Sequence, residues 1–156
     1  MILKDISFPS PEKNILFDEV LLHLAEKGIQ NEVLRFWESS SVFIVLGKTS
    51  VLQEDVHVSR VVQEKIPVLR RSSGGGTVVQ GKGCLNFSLV LSKQSHPALS
   101  DLGKSYSYIL GKVIEALSQL NVNAVFKPIS DLALRASEKK FSGNAQYWFS
   151  RKEDGP

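Results

Sequence analysis

The chain has 156 residues, of which 42% are hydrophobic and 22% charged, and its formal net charge is +3. This composition excludes a mainly disordered chain, which would contain too little apolar surface to form a core. The longest apolar run, residues 42–46, is far too short to cross a bilayer, and one cysteine excludes an internal disulfide framework. We therefore expect a single domain over residues 1–156 in a soluble, cytoplasmic protein, with neither a membrane nor nucleic acid as partner.

The spacing of apolar residues predicts the elements in chain order. The first is a helix that begins with Asn14 at its N-cap and ends before Gly28. Two further helices are predicted at 54–65 and 100–120. Strands are predicted at 33–37, 41–47, 67–70, 84–92, 122–126 and 132–134. Residues 139–146 are predicted to form a turn, and the polar tail 151–156 to fray. Without strict β-α-β alternation, this order indicates a mixed α/β or α+β sheet domain.

The most unusual segment is the glycine triplet 74–76, which follows Arg70 and Arg71. Consecutive glycines lose much backbone entropy on folding, and they persist where the chain needs a positive φ or where a ligand touches the backbone. Their N–H groups can form a concavity that binds anions, and an arginine can add positive charge there. Neighbouring side chains of a strand point to opposite faces, so at most one of the two arginines is expected to face the loop. A flexible hairpin with solvated arginines is the alternative.

Residues 76–82 match the spacing of a nucleotide-binding P-loop through Lys82, but the match does not extend further. A P-loop requires Ser or Thr after the lysine and a helix behind it. Here Gly83 follows, and the next segment alternates like a strand. We therefore reject this interpretation.

Two separated segments resemble the signatures of lipoate–protein ligases, which share a fold superfamily with biotin protein ligases and octanoyltransferases. The first runs from Arg70 to Val78 and continues in Gly83, Leu85 and Asn86; the second is Asp131-Leu132 followed by residues 140–146, where a lysine precedes a Ser-Gly-x-Ala segment. Both occur in the family's order, within about residues 14–146. The resemblance implies an α+β fold: a mixed, largely antiparallel β-sheet flanked by helices, as in the catalytic domains of biotin ligases and class II aminoacyl-tRNA synthetases.

The resemblance also implies a two-step reaction. Lipoate, or octanoate, and ATP form an acyl-adenylate with the help of Mg²⁺, and the acyl group then passes to a lysine of a lipoyl acceptor domain in 2-oxoacid dehydrogenase or glycine cleavage proteins. By similarity, Lys140 is the catalytic residue that contacts the acyl carbonyl and the phosphate, and Asp131 is the magnesium ligand. The residues that would hold the nucleotide are Arg71, Gly74, Gly75, Gly76, Thr77, Val78, Val79 and Lys140.

The sequence departs from the family's pattern in three places. Gln80-Gly81 stands where the family has His-Asp, Ser130 stands where it has Asn, and the chain ends at Pro156, soon after the second signature. An incomplete catalytic domain is therefore the expectation. Two alternatives stay open: an acyltransferase that takes octanoyl groups without ATP, with Cys84 as its nucleophile, and a remnant that binds acyl-adenylate without turnover. Cys84 is otherwise expected to be a small packed residue.

Overall fold

Nine strands form three three-stranded sheets within residues 1–149, the part of the chain that the computed structural model describes. The predicted frayed tail, residues 151–156, lies outside the described residues. The chain divides into two compact units. Of the described residues, the first contains Met1–Val90 together with 146–149, and the second contains Leu91–Ala145.

The first sheet of the first unit has β2 (Val33–Trp37) at its centre. It pairs in parallel with β1 (Ile2–Asp5) and antiparallel with β6 (Asn86–Val90). The inward face of β2 is fully buried and carries Val33, Arg35 and Trp37. This strand is therefore apolar on its inner face except for one arginine, which must find hydrogen-bond acceptors inside the protein.

The second sheet positions the glycine-rich segment. Its central strand β3 (Phe43–Leu46) pairs in parallel with β4 (Val68–Arg70) and antiparallel with β5 (Val78–Gln80). All four residues of β3 are buried, which confirms the prediction of a strand covered on both faces. Residues 71–77 connect β4 to β5, so this segment is anchored at both ends to one buried strand.

The helices of the first unit differ from the prediction in two ways. Helix α1 (Pro11–Glu26) begins after Ser10, whose side chain accepts the N-cap hydrogen bond from the Lys13 N–H. Asn14, the predicted N-cap, lies one turn inside the helix and is buried. The single helix predicted at 54–65 is also wrong. Two short helices, α2 (Leu52–Asp55) and α3 (Val58–Gln63), replace it because the backbone is extended at Val56, with φ −138° and ψ 134°.

Asn14 is buried because it completes the hydrogen bonds of Arg35, whose side chain is not exposed at all. The Arg35 guanidinium donates to the Asn14 carbonyl and side-chain oxygens, both at 2.8 Å, to the Ile6 carbonyl at 3.1 Å and to Asp18 Oδ1 at 2.6 Å. The ring centres of Phe17 and Trp37 lie 5.0 and 5.1 Å from its central carbon. Burial raises the pKa of Asp18, although hydrogen bonds from Ser88 and Arg35 favour its ionised form. This cluster ties α1 to β2.

In the second unit, α4 (Leu102–Ser118) follows a short 3-10 helix at Pro97–Ser100, and the Asp101 side chain caps it by accepting from the Lys104 N–H at 2.8 Å. Its sheet is antiparallel throughout, in the order β7 (Ala124–Lys127), β8 (Asp131–Leu134), β9 (Lys140–Gly143). The turn predicted at 139–146 is wrong, because Lys140–Gly143 pairs with β8. Pairing across a hairpin overrides the polar, glycine-containing sequence of this strand.

None of the helices within the described residues 1–149 is long and apolar enough to cross a membrane. The cytoplasmic location stays a prediction.

The Arg35 cluster generates a stability prediction. We expect Arg35→Met to lower the free energy of unfolding by about 3–5 kcal/mol, because it leaves the buried side-chain oxygen of Asn14 without its charged donor and the partly buried Asp18 carboxylate without its cation. Urea denaturation measures the loss. Arg60→Met is the matched control, since Arg60 is 76% exposed in its pair with Glu64 and should cost at most about 1 kcal/mol. Equal losses in the two variants would show that burial of the guanidinium is unimportant.

Candidate functional site

The glycine-rich loop, residues 72–77, is held from inside by Arg71. The Arg71 guanidinium donates to the carbonyl oxygens of Gly74 at 2.7 Å and Gly76 at 2.8 Å, and to Ser73 Oγ at 3.1 Å. Its other terminal nitrogen lies 3.3 Å from the carbonyl oxygen of Val45 in β3. Arg71 therefore folds the loop around its own side chain and links it to the buried central strand.

Arg70 points the other way, as expected for adjacent residues of a strand. One terminal nitrogen of its guanidinium donates to the carbonyl oxygens of Gly47 at 2.6 Å, Ser50 at 2.9 Å and Lys48 at 3.2 Å. Residues 47–50 follow β3, and the Lys48 N–H donates to the Ser73 carbonyl at 2.9 Å. The two arginines thus order two neighbouring loops, and both are engaged with backbone carbonyls instead of being solvated.

A close approach between two glycines brings these loops together. A Cβ added to Gly47 would lie 1.9 Å from the carbonyl oxygen of Gly75, which no side chain could tolerate. Gly75 has a φ of +84°, the left-handed region that glycine adopts without strain. Sequence analysis missed Gly47. Its position in the sequence, directly after the apolar run of the buried strand β3, could have indicated that Gly47 is needed for a close backbone contact.

In a planar trans peptide each N–H points away from the carbonyl of the preceding residue, so the N–H groups that follow the held carbonyls of Ser73, Gly74 and Gly76 point away from the groups that hold them. Gly75 and Gly76 are exposed, and within residues 1–149 the backbone N–H groups of Gly74, Gly75 and Gly76 donate to no protein acceptor. Exposed N–H groups in a preformed turn, next to a guanidinium, make a concavity suited to an anion such as a phosphate or carboxylate. The flexible-hairpin alternative is therefore disfavoured.

The C-terminal end of the loop is held by a side-chain contact that sequence analysis also missed. The Thr77 hydroxyl donates to the Asp55 carboxylate, and its oxygen lies 3.3 Å from Ser50 Oγ. These hydroxyl contacts, from Thr77 first and then Ser50, lower the pKa of Asp55.

A cleft of about 440 Å³ lies beside this end of the loop. The predicted residues Val78 and Val79 line it and are 40% and 65% exposed. Its apolar wall also includes Ile44, Val56, Val61 and Ile66. Apolar side chains beside an anion-binding turn suit a ligand with both an anionic and an apolar part.

The second unit brings together the two site residues predicted there. Lys140, at the start of β9, places its ammonium nitrogen 2.9 Å from Asp131 Oδ2 at the start of β8. The Lys140 side chain passes over Gly143, where an added Cβ would lie 3.3 Å from both its Cε and its Nζ. Lys140 is 59% exposed and Asp131 30%, so the ion pair is open to solvent. The glycine-rich loop belongs to the other unit, and the convergence of Lys140 with that loop stays a prediction.

The described residues fit a magnesium ion only in part. Within residues 1–149 no three His, Cys, Asp or Glu side chains form a cluster that could hold a metal. Asp131 offers one carboxylate, whose Oδ2 interacts with Lys140. Because Mg²⁺ commonly binds through one or two carboxylates together with substrate phosphates, Asp131 fits as a single ligand of an ion that arrives with a nucleotide.

Cys84 is exposed, so the expectation of a small packed residue is wrong. It lies in the loop that precedes β6, where its N–H donates to the Gly81 carbonyl at 3.0 Å. The strand predicted to begin at Cys84 begins at Asn86 instead, so the Cys84 thiol lies outside the sheet and is not packed.

Comparison with known proteins identifies the family. Residues 10–152 match the model of the lipoyl protein ligase A/B catalytic domain. A probable lipoate-protein ligase A of Mycoplasma pneumoniae is 33% identical over 137 residues, which cover 88% of this chain and 38% of that protein. The octanoyltransferase LipM of Staphylococcus aureus is 26% identical over 117 residues, 74% of this chain and 42% of that protein. The chain thus spans less than half the length of either relative.

A solved structure agrees with the sequence matches. A crystal structure of lipoate-protein ligase A bound with ATP superposes with a TM-score of 0.78 at 25% identity, covering 94% of this chain and 61% of that one. The predicted α+β fold of the ligase superfamily is confirmed.

The contact between the two glycines generates a prediction. We expect Gly47→Ala to displace the Gly75 carbonyl and to lower the free energy of unfolding by about 1–3 kcal/mol, as overpacking does. Chemical denaturation measures the loss, and faster hydrogen exchange of the Lys48 amide, which donates to the Ser73 carbonyl, locates it. Gly111→Ala is the control: Gly111 lies in α4 with open space around its Cβ position, so alanine should stabilise by about 0.5–1 kcal/mol. A Lys48 amide that exchanges at the wild-type rate in Gly47→Ala would contradict the prediction.

The space above Gly143 generates another prediction. We expect Gly143→Ala to push the Lys140 side chain away from Asp131, because the added methyl group would press against Cε and Nζ. The ¹³Cε NMR signal of Lys140 should move toward its position in Asp131→Asn. The signal of Lys127, which pairs with Glu138 on the same sheet, serves as an internal control and should not move. An unchanged Lys140 signal would mean that Gly143 does not provide the space for this pair.

Proposed function

The chain belongs to the family of lipoyl protein ligase A/B catalytic domains, and on that premise we propose that it activates lipoate with ATP and transfers the lipoyl group to a protein lysine. The observation that carries the proposal is the glycine-rich loop, whose carbonyls are taken by Arg71 and whose exposed N–H groups have no protein acceptor within residues 1–149. Such a loop suits the phosphate groups of a nucleotide.

The chemistry has two steps. In the first, a carboxylate oxygen of lipoate attacks the α-phosphorus of ATP, the bond to the pyrophosphate oxygen breaks, and lipoyl-AMP forms. Two anions must approach each other in this step, so fixed donors near the phosphate lower the barrier. The N–H groups of the loop and the ammonium of Lys140 would supply them. Magnesium bound with ATP would shield further phosphate charge, and Asp131 is the residue that would contact it.

In the second step, the ε-amine of an acceptor lysine attacks the acyl carbonyl, and AMP leaves with the electrons of the broken carbon–oxygen bond. Lys140 would stabilise the negative charge that develops on the carbonyl oxygen and on the leaving phosphate. The acceptor would be a lipoyl domain of a 2-oxoacid dehydrogenase or of the glycine cleavage system. The apolar cleft beside Val78 and Val79 suits the acyl chain or the adenine ring.

A second candidate is transfer of an octanoyl group from a carrier protein without ATP, which the similarity to LipM favours. The exposed Cys84 would be the thiol that accepts the acyl group as a thioester. Transfer in ATP-free buffer that disappears in Cys84→Ser would support this candidate and remove ATP from the reaction. Binding of lipoyl-AMP in calorimetry, without turnover in either assay, would instead indicate a non-catalytic protein.

Lipoate-dependent exchange of labelled pyrophosphate into ATP tests the proposed function. Wild-type protein should support exchange, and Lys140→Ala should reduce it by roughly a hundredfold or more, because a charged donor to the transition state is lost. Lys139→Ala removes the neighbouring positive charge and should keep nearly wild-type exchange. Circular dichroism checks that each variant is folded. No exchange by folded wild-type protein would refute the proposal, and equal rates for the two lysine variants would remove Lys140 from its role.

A further inference from the structure

Two kinds of contact hold the glycine-rich loop. Along the glycine triplet 74–76, Arg71 and the contact with Gly47 act on backbone carbonyls. At its C-terminal side, the contact is made by the side chain of Thr77, the first non-glycine residue after the triplet. Thr77 joins the loop to β5, which begins at Val78. The orientation of Thr77 therefore affects the direction in which the N–H groups of the preceding glycines point.

The partner of Thr77 is unexpected for a loop that would bind anions. Asp55 is the last residue of α2, and its carboxylate, exposed to solvent, accepts the Thr77 hydroxyl hydrogen. A negative charge this close to a phosphate site repels the ligand and weakens binding. A contact that carries such a cost is explained if it fixes geometry, because a hydrogen bond to an ionised acceptor is stronger than one to a neutral acceptor.

Ser50 completes the arrangement. Its hydroxyl oxygen lies 3.3 Å from that of Thr77 and, together with the Thr77 hydroxyl, lowers the pKa of Asp55. Ser50 belongs to the loop whose carbonyls Arg70 holds, so Thr77 is tied to α2 and to that loop at once.

We propose that Asp55 is a positioning residue, whose carboxylate holds the Thr77 hydroxyl and thereby fixes the N–H groups of the glycine-rich loop in the orientation that binds the phosphates of ATP. The inference rests on the proposed function for its ligand. The hydrogen bond between Thr77 and Asp55 exists in the ligand-free protein, and its role can be tested there.

The sign of the effect separates positioning from simple electrostatics. Removing a negative charge near the loop should by itself tighten ATP binding. If Asp55 positions the loop, Asp55→Ala should instead raise the Kd and the KM for ATP roughly tenfold, the loss of one charge-assisted hydrogen bond, with kcat changed less than about twofold. Asp55→Asn, which retains an acceptor, should have a smaller effect. Glu54→Gln is the matched control, since it removes the same charge from the neighbouring residue of α2 and should leave both constants near wild type.

Thr77 provides the second arm. Thr77→Val keeps the shape but removes the hydroxyl, and should reproduce the Asp55→Ala effect, whereas Thr77→Ser keeps the hydroxyl and should restore wild-type behaviour. The backbone ¹⁵N order parameters of residues 75–77 in the ligand-free protein should fall below their wild-type values in Asp55→Ala and Thr77→Val only. The two Thr77 variants decide the question if Asp55→Ala fails to fold.

The outcomes keep this inference apart from the proposed function. Tighter or unchanged ATP binding in Asp55→Ala, unchanged ¹⁵N order parameters of residues 75–77, or equal behaviour of Thr77→Ser and Thr77→Val would each overturn the role of Asp55. Absence of lipoate-dependent pyrophosphate exchange in the wild type would refute the proposed function, while the order parameters of the ligand-free loop would still confirm or overturn the positioning role of Asp55.

Discussion

A guanidinium has only hydrogen-bond donors, and the candidate site depends on this fact. Arg71 fills its donors with carbonyl oxygens from the glycine-rich loop and from β3. Because a planar trans peptide carries its N–H opposite its C=O, the N–H groups that follow the held carbonyls point away from Arg71. Contacts to these carbonyls restrict the flexibility that three glycines would otherwise have. The loop surface that we propose to bind an anion is therefore formed before any ligand arrives, which lowers the entropy cost of binding.

Arg70 and Arg35 also donate to backbone carbonyl oxygens, but the two arginines hold different parts of the fold. Arg70 gathers three carbonyls of residues 47–50 and so orders the neighbouring loop, which supplies the bare surface of Gly47 and the hydroxyl of Ser50. Arg35 is fully buried and holds α1 against β2 through Asn14 and Asp18. In each case an arginine donates to backbone carbonyl oxygens, which fixes the backbone around its own side chain.

In the second signature, the candidate site residues interact within a single hairpin, β8–β9. In the antiparallel pairing of β8 with β9, Asp131 lies opposite Gly143 and Lys140 lies opposite Ala133. The Lys140 side chain therefore extends along the sheet to reach Asp131. Gly143 leaves room for the lysine side chain to fold back. An exposed ion pair of this kind adds little stability, and its value lies in where it keeps the ammonium. Asp131 has thus two assignments, as the observed partner of Lys140 and as the proposed ligand of magnesium.

The sequence by itself determined the family, the α+β class and the residues of both signatures, because glycine runs and the buried β3 pattern have strong local causes. It also predicted that Arg70 and Arg71 diverge, since alternation is a property of any strand. Only the tertiary structure decided that Arg71 holds carbonyls, that Gly47 meets Gly75 and that Asp55 reaches Thr77. Each of those contacts joins residues more than 20 positions apart or acts through backbone oxygens, which every residue shares and which no side-chain pattern can therefore reveal. The N-cap at Ser10 and the extended backbone at Val56 are local features that the spacing of apolar residues does not register. The strand at Lys140–Gly143 was mispredicted because hairpin pairing with β8 outweighed local preference.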